Sequence, residues 1–255
     1  MNRRQFVTAA AAGAAMFARI PNVFAQTYQL IIKGGRVIDP SIGLDAIRDV
    51  AIANGRIVAV EPNIAAAAAD TIDARGKIVA PGLIDIHSHA GRTKEGPPLC
   101  LQDGVTAWVD AGSAGADNID AVAAVARGAP NLGRVMVNIA RVGVLSPAGE
   151  LHDLNLVSVD LARGAIARHR DVVVGVKARL SESVADNNDL ECLRRAQEAA
   201  APFNLPVMIH VGQNFSQMRA ILPLLKRGDI VTHMYAPPPN SILDDQGRLI
   251  PDVAA

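Results

Sequence analysis

Five side chains carry most of the chemistry legible in this sequence: His87, His89, Lys177, His210 and His233. The first two close the run Pro81-Gly82-Leu83-Ile84-Asp85-Ile86-His87-Ser88-His89, where an apolar stretch ends in two histidines separated by one residue. A strand alternates its faces with a period of two, so His87 and His89 are expected to project from the same side. Two imidazoles on one rigid face form half of a metal site, and Leu83–Ile86 is expected to be the buried strand that holds them. The other three also end apolar runs: Val173-Val174-Gly175-Val176-Lys177, Pro206-Val207-Met208-Ile209-His210 and Ile230-Val231-Thr232-His233. Taken singly, each has a structural reading, as a hydrogen-bonded core histidine or a lysine that snorkels or pairs. Their recurrence at four strand ends favours one shared site, and the chemistry is that of a metal-dependent hydrolase.

The elements that must position these groups follow from the pattern. Residues 26–80 read as a small β-sheet. Leu30-Ile31-Ile32 is a strand turned by Gly34-Gly35, and Val50–Ala53 and Ile57–Val60 flank the hairpin dipeptide Asn54-Gly55. From residue 81 to 255, short apolar strands alternate with helical segments. Strands are expected at Val105–Val109, Arg134–Ala140, Val172–Lys177, Pro206–His210 and Asp229–His233 after the opening one. Helices are expected at about Asn118–Arg127, Val159–His169, Leu190–Ala201 and Ser216–Lys226. Repeated β-α units with buried strands imply a parallel sheet. In barrels built this way the active site lies at the carboxyl ends of the strands, so the five residues converge if the strands share one barrel.

Composition narrows the function classes. The chain has 255 residues and zero formal net charge, with no basic stripe to argue for nucleic acid. Aromatic residues make up 3%, too few to suggest base stacking or an aromatic sugar cleft. The partner expected is a small-molecule substrate, and assembly of identical chains is compatible with the sequence. Residues 1–25 read as a twin-arginine export signal: Arg3-Arg4 precedes a weakly apolar Ala-rich run, and Val23-Phe24-Ala25 suits cleavage. The run is too short and too Ala-rich for a stable membrane anchor, so the expected location is the periplasm. Cys100 and Cys192 lack the spacing of a zinc knuckle or redox pair. A disulfide between them and two isolated buried thiols both remain open.

The constellation resembles the amidohydrolase superfamily of metal-dependent hydrolases. The family order is a His-x-His pair on the first strand, a lysine on strand four and one histidine each on strands five and six. Here those positions are His87 and His89, Lys177, His210 and His233. Val109-Asp110-Ala111-Gly112-Ser113, Asn138-Ile139-Ala140-Arg141, Val174-Gly175-Val176-Lys177 and Ile242–Leu249 look like a deacetylase- or dihydroorotase-like branch. The resemblance implies an α/β fold: a TIM-type (β/α)8 barrel preceded by an accessory β-sandwich, to which the small sheet would belong. It also implies two divalent metal ions, zinc by default, with manganese, cobalt or nickel as alternatives. Ions ~3.5–4 Å apart repel and need an anionic bridge, which in the family is the strand-four lysine carboxylated by carbon dioxide. The activity implied is deacetylase-like cleavage of an amide or ester carbonyl, with a cyclic-amide hydrolase as the alternative.

Weaker candidates surround this set. Arg179, two residues beyond Lys177, could bind a substrate carboxylate or form a rim salt bridge. Arg141 and Asn138 invite the same hypothesis. Asp110 could orient a ligand histidine, and Asp85 reads as structural. Gly112-Ser113-Ala114-Gly115 reads as a turn before a helix or an anion site. His152 and His169 read as surface residues. A complete family member also carries a metal-binding, proton-shuttling aspartate on strand eight, and no residue after His233 occupies that place; Asp244, Asp245 and Asp252 fall elsewhere. A full barrel takes about 250 residues by itself. The expectation is therefore an incomplete barrel of about six strands, truncated at its C-terminus and prone to aggregate. An inactive remnant is the non-enzymatic alternative.

Overall fold

The computed structural model describes residues 28–238, 240–244 and 246–254, which form two compact units parting between Pro81 and Gly82. The export signal expected at residues 1–25 lies outside the described residues.

The first unit is a five-stranded sheet. Its strands are β1 (Tyr28–Asp39), β2 (Leu44–Ala53), β3 (Arg56–Glu61), β4 (Ala68–Asp73) and β5 (Ile78–Val79). The order is β3-β2-β1-β4, with β5 also on β1. Asn54 and Gly55 both take positive φ, 52° and 69°, as a tight turn between antiparallel β2 and β3 requires. Gly34-Gly35 does not turn the chain as expected. It forms a bulge inside β1, where the register with β2 shifts between Ile32 and Gly35. Buried Asp49 pins that bulge by accepting from Lys33 Nζ at 2.6 Å, Gly34 N at 2.8 Å and Ile64 N at 2.9 Å.

The second unit is an incomplete TIM-type barrel, a six-stranded parallel sheet in sequential order. Its strands are β6 (Leu83–Ser88), β7 (Val105–Asp110), β8 (Leu132–Asn138), β9 (Val173–Arg179), β10 (Val207–His210) and β11 (Ile230–Thr232). The helices between them are α1 (Gly96–Gln102), α2 (Ile119–Gly128), α3 (Val159–Arg168), α4 (Glu182–Ala185), α5 (Asp189–Ala200) and α6 (Met218–Ile221); α7 (Pro251–Ala254) follows β11. The outward side chains Val135, Val137, Val176, Val207 and Ile209 pack under helix residues such as Ile119, Ala123, Ile166 and Leu193. Small alanines on α3 and α5 let these helices lie close to the sheet. A separate inner cluster of Ala111, Met136 and Met208 floors the barrel interior. Gly175 makes room there, since a Cβ would stand 2.8 Å from Met136 Cε.

Several elements differ from expectation. The helix expected at Ser216–Lys226 is only Met218–Ile221 followed by a 3-10 turn over Leu222–Leu224, because Pro223 has no N–H to continue it. Strand β8 begins two residues early, and Asn138 ends it by accepting from Ala140 N through its own side chain at 2.9 Å. Strand β6 is not buried. Leu83, Ile84 and Ile86 are 62%, 68% and 48% exposed, because among the described residues β6 is an edge strand with a neighbour on one side only. The other edge is β11. No helix among the described residues is long and apolar enough to cross a membrane. Cys192 is buried, Cys100 half-buried, and both are free thiols.

Candidate metal centre

The five residues singled out by spacing meet at one end of the six-stranded sheet. Lys177, in β9, is 1% exposed, and its Nζ lies 3.3 Å from His87 Nε2 and 3.5 Å from Thr232 Oγ1. Thr232 gives its own hydrogen to Ile209 O at 3.0 Å, so its hydroxyl oxygen can only accept from the lysine. The imidazoles of His87 and His233 stand 4.9 Å apart between ring centroids, His210 and His233 4.6 Å, and His87 and His89 6.0 Å. His87 is the penultimate residue of one edge strand and His233 follows the other. The sheet therefore curls until its first and last strands share one mouth.

Local backbone places each ring. Asp85 accepts from His87 N at 2.9 Å and holds the strand end in shape, the structural role expected of it. His233 takes φ 62°, a left-handed conformation that costs a non-glycine residue about 1 kcal/mol or more. That turn folds its ring back over the sheet end instead of continuing β11. Gly112, at φ 80°, lies against the Lys177 stem, where any Cβ would overlap the lysine side chain. The turn Gly112–Gly115 thus serves the lysine and carries Ser113, whose hydroxyl lies 2.7 Å from His89 Nδ1.

The electrostatics favour neutral nitrogen donors. Burial, then the nearby Lys177 charge, brings the His87 pKa down to about 4. Burial and His233 bring His210 down to about 3, and burial lowers His233 and His89 as well. Burial and Arg179 bring Lys177 from 10.5 down to about 7. A cluster of unprotonated imidazoles around a weakened amine suits divalent cations by donor type. Among the described residues no three histidine, cysteine or carboxylate side chains converge as a ready-made metal group. The imidazoles instead flank the lysine as pairs.

The weaker candidates separate. Arg179 stays with the site: its Cα pairs with that of His210 across β9 and β10, and its charge acts on Lys177, His89 and His210. Its Nη1 donates to Glu150 Oε1 at 2.8 Å. Glu150 is fully buried and was not visible in the sequence, where it is one loop carboxylate among many. Arg141 points away into an exposed pair with Asp117 at 2.8 Å. Asn138 is buried and spends its amide on Gly112 O at 3.1 Å. Asp110 reaches His89 only through Ser113, to which it is bonded at 2.8 and 2.9 Å. His152 is exposed, as expected, but His169 is buried. It is held between Asp120 Oδ1 at 2.7 Å and Arg127 Nη2 at 3.0 Å, partners supplied by α2 that the local sequence does not announce.

No family model matches the chain. It is 32% identical over 234 residues to a deacetylase of Enterococcus faecalis, covering 89% of this chain and 62% of the relative. It is 29% identical over 189 residues to a dihydroorotase of Solibacter usitatus, covering 71% of this chain and 41% of the relative. A crystal structure of an adenine deaminase superposes with a TM-score of 0.79 at 31% identity, covering 89% of this chain and 62% of that one. The chain thus spans less than two thirds of the length of each. The parallel sheet, the residues gathered at its carboxyl end and these likenesses together make the chain similar to the deacetylases and dihydroorotases of the amidohydrolase superfamily.

Proposed function

We propose that this chain belongs to a metal-dependent hydrolase that cleaves an amide or ester carbonyl of a small molecule, in the manner of a deacetylase. The observation that carries the reading is the placement of Lys177 Nζ 3.3 Å from His87 Nε2, a member of the run of paired imidazoles His89, His87, His233 and His210. His87 and His89 would hold one divalent ion, His210 and His233 a second, and carboxylated Lys177 would join them. When bound, such ions supply a water that ionises at moderate pH and polarise the scissile carbonyl.

The chain's own residues account for the rest. An amine whose pKa is near 7 has lost its proton in about half of the molecules in neutral solution. The neutral amine can add to carbon dioxide, forming one N–C bond as one C–O π bond breaks, releasing one proton and leaving an anionic carbamate where a neutral amine stood. Burial on β9 keeps that group from water and holds it at the mouth. Arg179 has Glu150 as its one hydrogen-bond partner among the described residues, so its other N–H groups are available to a substrate carboxylate. The likeness to a dihydroorotase supports a cyclic amide as the second reading of the substrate. The paired arginines and Ala-rich run at the start support export to the periplasm; a reporter fused after residue 30 should then appear there, and a cytoplasmic reporter would refute export.

Zinc titration of the full chain in bicarbonate buffer is expected to show two ions bound, falling in Lys177→Ala. Absence of uptake would overturn the reading. N-acetyl and O-acetyl acids assayed beside cyclic imides decide between the two substrates. Arg179→Lys keeps the charge but not the fork, and is expected to raise KM for acidic substrates more than it lowers kcat.

A further inference from the structure

We propose that Ser113 is a positioning residue that sets the tautomer of His89, with Asp110 and Arg92 fixing the direction of its hydroxyl. The inference rests on the metal-site reading only for its consequence; the tautomer itself follows from hydrogen-bond bookkeeping at one oxygen. A serine hydroxyl donates one hydrogen and accepts two. The hydrogen of Ser113 goes to Asp110 Oδ2 at 2.9 Å. Arg92 Nε, which can only donate, occupies one lone pair at 3.2 Å. His89 Nδ1 stands at 2.7 Å from what remains, a lone pair. Two acceptors cannot bond, so Nδ1 must carry its hydrogen and donate it. In a neutral imidazole the free lone pair is then on Nε2, at the opposite edge of the ring.

The surroundings keep this arrangement from reversing. Asp110 is fully buried and also accepts from Ser113 N at 2.8 Å and Gly91 N at 3.1 Å. Both of its oxygens thus face donors, and the serine hydroxyl has no reason to turn around. Gly91 is required for its approach, since a Cβ there would stand 2.9 Å from Asp110 Oδ2 and 2.5 Å from Val122 Cγ1. The backbone just after His89 therefore wraps around the carboxylate that orders Ser113. Such partners of ligand histidines typically change metal affinity 10–100-fold when removed.

The test uses the metal-free full chain, with 15N chemical shifts assigning the His89 ring. The expected result is the Nδ1–H form in the wild type; an Nε2–H form there would overturn the proposal without any variant. Ser113→Ala, checked by its melting temperature, is expected to mix the two tautomers and to weaken zinc binding about 10–100-fold. Unchanged zinc affinity in a folded variant would also overturn it. If the wild type takes up no zinc, the metal-site reading fails, while the wild-type ring shifts still decide the role of Ser113.

Discussion

At the scale of single residues, the site is a collection of bases held below their ordinary pKa by burial and by one another. The sign of the consequence is fixed. His87 and His210 fall from 6.5 to about 4 and about 3 in the folded chain, so between those values and 6.5 the unfolded chain binds more protons. Stability must then be lost as pH falls from 6.5 toward 3. Lys177 falls from 10.5 to about 7, which adds a rise in stability between pH 7 and 10.5. Melting of the metal-free protein is expected at lower temperature at pH 4.5 than at pH 7, with part of that slope removed in His210→Gln. A melting temperature that climbs on acidification would contradict this. Gly112→Ala tests the support of the lysine. It strains a φ of 80° and drives a methyl into the Lys177 stem, so it should cost about 2–4 kcal/mol in urea denaturation.

At the scale of elements, the carboxyl end of the sheet is held by polar staples between loops. Asp189, 1% exposed at the start of α5, accepts from Ser216 N at 2.8 Å and Ser216 Oγ at 2.9 Å in the loop after β10. Asn240, fully buried beyond β11, accepts from Asn214 N at 2.6 Å in the same loop. These bonds connect the segments that follow β9, β10 and β11, the strands that carry or precede Lys177, His210 and His233. Asp189→Ala would leave the half-buried Ser216 N and Oγ without this partner, at a cost of about 1 kcal/mol. Urea denaturation reads that loss. Loosening of the loop after β10 should appear as faster amide exchange at Ser216, and unchanged exchange there would show that the staple is dispensable.

At the scale of the whole barrel unit, an open sheet has two edges. The β6 edge carries exposed Leu83, Ile84 and Ile86 and has no strand partner on its outer side among the described residues, a surface suited to pairing with another strand. Self-association of the purified polypeptide that rises with concentration is the expected behaviour. Ile84→Lys places a charge on that edge and should reduce it in light scattering. Association unaffected by the lysine would locate the contact elsewhere.

What the sequence determined by itself was local and periodic. Strand spacing placed His87 and His89 on one side, an apolar run marked the strand end at His210, and Asn54-Gly55 announced its hairpin; the strand of Lys177 was legible, but it runs two residues past the expected end, to Arg179. Those signals are legible because a period of two and a demand for positive φ act within a few residues. Only the tertiary structure decided which polar groups meet. Glu150 beside Arg179, Ser113 between Asp110 and His89, and buried His169 against α2 all join residues that lie 3 to 49 positions apart. Burial of a loop carboxylate or a serine hydroxyl depends on how the sheet curls. The exposure of β6 was hidden for the same reason: an apolar strand reads alike at the centre of a sheet and at its edge, and the neighbours that distinguish the two are supplied by distant parts of the chain.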